Sequence, residues 1–268
     1  MKNINFIACG QIGDLIHSLY VVKSMCYRDN CKANFFIADN SYINTISACG
    51  NFTFDLNKTY EDMFDLMKHQ DYVENFDILP RNYNDTLVNL NSWRDYIEVI
   101  RNSTGSYSKC WTELMLNFSN IDKIEGPWIS AGEDEFTKNK VLIHNSTHRF
   151  NPSFNLHTLI NQIDDEILFI TTSEQDWNSF RFHNERIKPY FRKNINELAS
   201  SINSCKYFIG NQSSPFAIAS ALNKDRFVEL YSGSQGFYMD ERNYYDNISW
   251  FFETNNYFLG KNTYNFNL

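Results

Sequence analysis

The chain has 268 residues, 43% of them hydrophobic and 21% charged, which is enough apolar material for one large or two small domains and rules out a disordered chain. A formal net charge of −8, a pI near 5.3 and the lack of any basic patch argue against nucleic acid as a partner, while a helix N-terminus could still take a small anion. The six cysteines show no C-x-x-C pair or zinc-like spacing, no stretch has the length of a membrane span, and no leader pattern opens the chain, so a cytoplasmic protein with reduced thiols and no metal is expected.

Residues Asn3 to Lys23 read as strand, glycine turn and helix. Ile4, Phe6 and Ile7 suit a buried strand, and Gly10 and Gly13 allow a tight turn. Ile12, Leu15, Ile16, Leu19 and Val22 then recur at helical spacing. Asp14 falls in the first turn of that helix, where it can cap the exposed N–H groups or act on a ligand held there. Further strands are expected at Asn34 to Ala38, Phe52 to Leu56, Phe76 to Leu79 and Thr86 to Leu90. Helices are expected at Tyr42 to Ala48, Thr59 to His69, Trp93 to Ile100 and Cys110 to Phe118. Such alternation implies a parallel sheet covered on both faces.

Between Glu125 and Asn139 the pattern lapses into Gly, Pro and charged residues, which reads as a linker. The expected organisation is an N-terminal unit over 1–125, a linker over 126–139 and a C-terminal unit over 140–268. The second unit restarts the alternation. Strands are expected at Val141 to His144, Ile167 to Ile170, Tyr207 to Ile209 and Phe227 to Leu230, with helices at Leu156 to Ile163, Glu174 to Phe182, Ile195 to Ile202 and Ser214 to Leu222. The aromatic tail from Phe237 to Leu268 is too apolar to hang free and is expected to pack back across both units.

Two short segments carry the chemistry. The first, Gly10-Gln-Ile-Gly-Asp14-Leu-Ile-His17-Ser-Leu, only partly fits a dinucleotide fingerprint, because Ala8 stands where the first glycine belongs. Asp39, about 25 residues beyond the turn, could still serve as a ribose acid. The segment resembles more closely the N-terminal G-x-x-G-D-x-x-H-x-L-P motif of the heptosyltransferase-like GT-B glycosyltransferases. The second, Phe208-Ile-Gly210-Asn211-Gln212-Ser213-Ser214-Pro215, resembles the F-I-G-N-D-S-G-P motif of the same family. Physically it is a strand, a polar loop and a helix start that offers hydroxyls and N–H groups to a diphosphate. A looser likeness lies at Val141 to Arg149, where Thr147 and Arg149 follow a strand.

The resemblance implies an α/β, GT-B-like architecture of two Rossmann-like α/β/α domains facing a cleft. It implies an acceptor side around Gly10, Gly13 and His17, and a donor side of Thr147, Arg149, Asn211, Gln212, Ser213 and Ser214. The activity implied is metal-independent, inverting transfer from a nucleotide-sugar donor to a glycan or other hydroxyl acceptor, with Asp14 as base, no metal and no further cofactor. The chain departs from the motif at Gln212 (Asp in the family), Ser214 (Gly) and Ala217 (His). Those changes leave room for a non-catalytic nucleotide- or glycan-binding protein, and Gly10, Gly13 and Asp39 for an NAD(P)-dependent oxidoreductase.

Overall fold

The computed structural model describes residues 2–39, 54–91, 120–122, 124–147, 156–211, 213–229 and 256–258. Within them lie two wholly parallel sheets. One has strand order β3-β2-β1-β4, built from β1 (Asn3–Ala8), β2 (Lys32–Ile37), β3 (Val73–Ile78) and β4 (Val88–Asn89). The other has order β10-β9-β8-β5-β6-β7, from β5 (Val141–His144), β6 (Ile167–Thr171), β7 (Ile187–Phe191), β8 (Tyr207–Asn211), β9 (Arg226–Glu229) and β10 (Asn256–Phe258). Counted from its own first strand, each sheet runs 3-2-1-4, and the second continues to 5 and 6. This is the doubly wound order, whose ligand crevice opens between strands 1 and 4 at their carboxyl ends. The architecture is the α/β, GT-B-like one expected.

α1 (Ile12–Asp29) follows β1, and α2 (Leu56–Lys68) precedes β3. Leu15, Ile16, Leu19, Tyr20, Val21 and Val22 of α1 are all buried, so this helix is covered on more than one side. The buried hydroxyls of Ser18 and Ser24 donate to the carbonyls of Asp14 (2.9 Å) and Tyr20 (2.7 Å), four residues back. In the second half the helices are α3 (Leu156–Ile160), α4 (Glu174–Ser179), α5 (Ile195–Ser204) and α6 (Ser214–Ala221). Every residue of α6 from Pro215 to Ala221 is buried, because α6 packs against α1, as α5 does against α2.

One apolar cluster therefore runs from Phe6 and Phe35 through α1 and Trp128 to Phe208 and Phe216, joining the two sheets. Side chains alternate across β5: Leu142 joins this shared core, while Val141 and Ile143 join a second cluster with Phe169 and Ile209. Residues 124–134 form a bonded strap. Tyr20 and Lys23 of α1 donate to the carbonyls of Ile124 (2.7 Å) and Pro127 (2.8 Å), and Trp128 N–H donates to Ala221 at the end of α6 (2.9 Å). The Gln70 amide pairs with both main-chain groups of Ser130 (2.8 and 2.9 Å), and Asn203 of α5 donates to Gly132 (3.0 Å).

Three elements differ from the sequence reading. Phe54 and Asp55 are irregular rather than strand, since the Asp55 side chain caps α2 by accepting from Lys58 N–H (3.0 Å). The helix from Glu174 stops at Ser179, and β7 was not anticipated. The helices expected at 42–48, 93–100 and 110–118 lie outside the described residues, as does most of the tail. Its residues Asn256–Phe258 pair parallel with β9 as the last strand of the second sheet.

Candidate functional site

β1 delivers the chain into the turn before α1. Gly10 sits at φ 134°, a conformation that a side chain would strain, and Gln11 is the N-cap. Gln11 N–H donates to Asp14 Oδ2 (3.2 Å), so Asp14 is the reciprocal carboxylate of the cap. Asp14 is half-buried at the start of the helix.

His17 lies one turn further along, 5% exposed, with its ring 6.4 Å from that of Trp128. Desolvation pushes its pKa down from 6.5 to about 4, which keeps the imidazole neutral at physiological pH. The unfolded chain takes up a proton near pH 6.5 and the folded one only near 4. This contribution to stability is therefore whole above pH 6.5 and is lost as pH falls toward 4, by roughly 3 kcal/mol. The pKa of buried His144 is lowered as well, mainly by desolvation, so the two losses add. Urea midpoints should fall between pH 6.5 and 4.5, and less steeply in His17→Gln. A variant with the wild-type slope would remove His17 as a source.

On the other sheet, β5 and β8 flank the switch point. Gly210 is required there: a Cβ would stand 2.9 Å from the His144 carbonyl oxygen and 2.8 Å from the Phe208 ring. Asn211, fully buried, accepts from Ser146 N–H (2.9 Å) and donates to the Ser146 carbonyl (2.6 Å), fixing the loop that leads to half-buried Thr147. Asn145 donates to the buried carboxylate of Glu229 at the end of β9. Ser213 is the N-cap of α6 and spends its hydroxyl on the Asn211 carbonyl (3.1 Å) instead of the helix. Ser213 and Ser214 are both half-buried.

The two segments singled out in the sequence meet. A Cβ on Gly13 would lie 3.7 Å from Ser214 Cα and 4.0 Å from the Ala217 Cβ, so the N-termini of α1 and α6 abut with Asp14 beside the contact. Gly10, Gly13, Asp14, Ser213 and Ser214 thus gather at one place, while His17 lies buried behind it and Asn211 acts on the Ser146 loop. Arg149 and Gln212 lie outside the described residues. Sequence reasoning missed Asn91, Asn145 and Glu229. Their only local signal is a polar residue at or just past a strand end.

Neither a protein-family model nor a curated protein matches the sequence. Among solved structures, Escherichia coli heptosyltransferase WaaC with ADP-2-deoxy-2-fluoro heptose is similar over 85% of this chain and 88% of its own, at 10% identity and a TM-score of 0.50. The fold is that of the GT-B heptosyltransferases. A glycosyl transferase family 9 protein from Veillonella parvula aligns over 85% of this chain and 80% of its own, at 8% identity and a TM-score of 0.54. The iron-containing dodecameric glycosyltransferase TibC from enterotoxigenic E. coli covers 94% of this chain with 66% of its own, at 12% identity and a TM-score of 0.53. On this GT-B frame no group of three His, Cys, Asp or Glu could hold a metal ion among the described residues, and no helix there is long and apolar enough to cross a membrane. The acidic run at Asp164 to Glu166 sits at the amino end of β6, where Lys206 pairs with Asp165 (2.8 Å) and Lys140 with Glu166 (2.9 Å).

Proposed function

We propose that the chain transfers a sugar from a nucleoside-diphosphate donor to a hydroxyl acceptor, with inversion and without a metal, in the cytoplasm. The observation that carries this reading is the approach of Gly13 to Ser214, which sets a carboxylate beside a helix N-terminus at a doubly wound switch point. The start of α6 receives the diphosphate through its N–H groups and the Ser214 hydroxyl, on the side of Thr147. The acceptor hydroxyl lies against Asp14. Its oxygen attacks the anomeric carbon as its proton passes to the carboxylate, and the bond from that carbon to the diphosphate oxygen breaks. The leaving diphosphate keeps the electron pair, and the helix N-terminus stabilises that charge. WaaC, whose structure holds an ADP-sugar analogue, gives the same fold a nucleotide-sugar ligand. The cytoplasm suits the cysteines: among the described residues, Cys9, Cys26, Cys31 and Cys205 are buried thiols.

A binding protein without transfer is the second reading, favoured by Ala217. This residue stands where the resembling motif has His, and it is buried near Gly13. The oxidoreductase reading is disfavoured, because Gly13, which would face the pyrophosphate, faces the Ser214 backbone.

Thermal-shift screening against nucleoside diphosphates, nucleotide sugars and NAD(P) identifies the ligand, since occupancy at about 100 times Kd adds about 2.7 kcal/mol of apparent stability. Replacing Ser213 and Ser214 together with Glu should then weaken the best nucleotide by about tenfold or more in calorimetry, through charge repulsion worth at least ~1.4 kcal/mol. Unchanged affinity in a folded double variant would put the diphosphate elsewhere, and a response to NAD(P) alone would revive the oxidoreductase reading.

A further inference from the structure

The turn that carries Asp14 is held by a side chain from another part of the sheet. β1 pairs with β4 as far as Ile7 opposite Asn89, and Leu90 N–H adds a bond to the Ile7 carbonyl (2.9 Å). Cys9 lies beyond this ladder, and its buried N–H donates to Asn91 Oδ1 (2.7 Å). Asn91 is itself 3% exposed and is fixed in turn. Its main-chain N–H and its Nδ2 both donate to Asn89 Oδ1 (2.9 Å each), and Nδ2 stands 3.4 Å from the Cys9 sulfur. The asparagine therefore extends β4 with an amide that imitates a main-chain peptide, at the point where β1 leaves the sheet.

From Cys9 the constraint passes along a short path: Gly10 at φ 134°, then Gln11, whose N–H is held by Asp14. The second sheet repeats the device. Asn211, on the strand equivalent to β4, accepts from the N–H of Ser146, just past the strand equivalent to β1. Each switch point thus has a buried asparagine amide, at the end of strand 4 or two residues past it, clamping the loop that leaves strand 1. A buried amide with all its bonds made carries a high cost for any other loop geometry.

We propose that Asn91 is the positioning residue of the acceptor side, setting the Gly10–Asp14 turn as Asn211 sets the Ser146 loop. This inference rests on the transfer reading above. Asn91 does not touch substrate; it acts through the peptide of Cys9. The carboxylate of Asp14 must stand within hydrogen-bond reach of the acceptor hydroxyl, and a displacement of about 1 Å there costs on the order of 100-fold in rate. The donor groups Ser213 and Ser214 stand on the other sheet, outside the bond between Cys9 and Asn91.

The test uses Asn91→Leu, which removes both amide functions at similar volume. In the Leu variant, amide exchange over residues 9–15 should quicken by about tenfold or more while β1 stays protected. With a donor from the screen, its kcat should fall by about 10- to 100-fold with nucleotide affinity within about threefold of wild type. Should Leu prevent folding, Asn91→Ser, too short to reach Cys9, reads the same quantities. Unchanged exchange over residues 9–15 in a folded variant overturns the clamp. Faster exchange with unchanged kcat, or an equal loss of donor affinity, overturns the positioning role. Absence of transfer by wild type with every nucleotide sugar that binds overturns the transfer reading, and the catalytic role of Asn91 with it, whereas the exchange result still stands for the clamp.

Discussion

Asp14→Asn is expected to lower turnover by roughly 100-fold or more while leaving nucleotide affinity and thermal stability close to wild type. The structure makes this substitution informative because Asp14 already has a structural task, accepting from Gln11 N–H at 3.2 Å. An asparagine carbonyl oxygen can take that same bond, so the cap survives in shape. What disappears is a group able to accept a proton from an acceptor hydroxyl as the new bond forms. If capping were the whole purpose of Asp14, transfer would be nearly unchanged. A steady-state transfer assay with donor affinity measured in parallel separates the two, and near-normal turnover in Asp14→Asn would remove Asp14 as base.

The largest effect on stability is expected from Trp128→Ala, a loss of about 3–5 kcal/mol in chemical denaturation. Trp128 is 2% exposed and lies between the halves. Its indole N–H donates to the Ile16 carbonyl of α1 (2.8 Å), its main-chain N–H to Ala221 of α6 (2.9 Å), and its carbonyl accepts from Tyr72 (2.7 Å). The ring packs 4.9 Å from that of Tyr20. Truncation empties a large volume where both halves meet, and neighbours fixed by their own helices cannot collapse into it. Trp128→Phe keeps most of the apolar volume and loses the indole bond, so about 1–2 kcal/mol is expected. A loss below about 1 kcal/mol in Trp128→Ala would show that the strap is dispensable to the shared core.

That result bears on how residues 124–134 are read from sequence. Glycine, proline and charge are the composition of a linker, and nothing local distinguishes a loose connection from a bonded strap. The distinction comes from Gln70, Asn203 and Ala221, each distant in sequence, which supply the partners for its main-chain groups. β7 escaped notice for a related reason. Pro189 interrupts the run Ile187–Phe191, and a proline is tolerated in a strand chiefly at a sheet edge, the place that tertiary assembly gives β7.

The order of elements was legible from local pattern: apolar runs for β1, β5, β6 and β8, helical spacing in α1 and α2, and proline in the first turn of α6. So was the place of Asp14 within the first turn of its helix, since glycine turns and helix caps are written in consecutive residues. The meeting of Gly13 with Ser214, the burial of His17 and the asparagine clamps were decided only by tertiary structure. Each joins residues roughly 65 to 200 positions apart, and periodicity within a helix or strand does not say which other surface will cover it. Sequence thus determined which groups stand at the ends of strands and helices. The packing of α1 on α6 decided which of those ends form one site, because burial of two apolar helix faces against each other sets their separation and carries the attached polar groups with them.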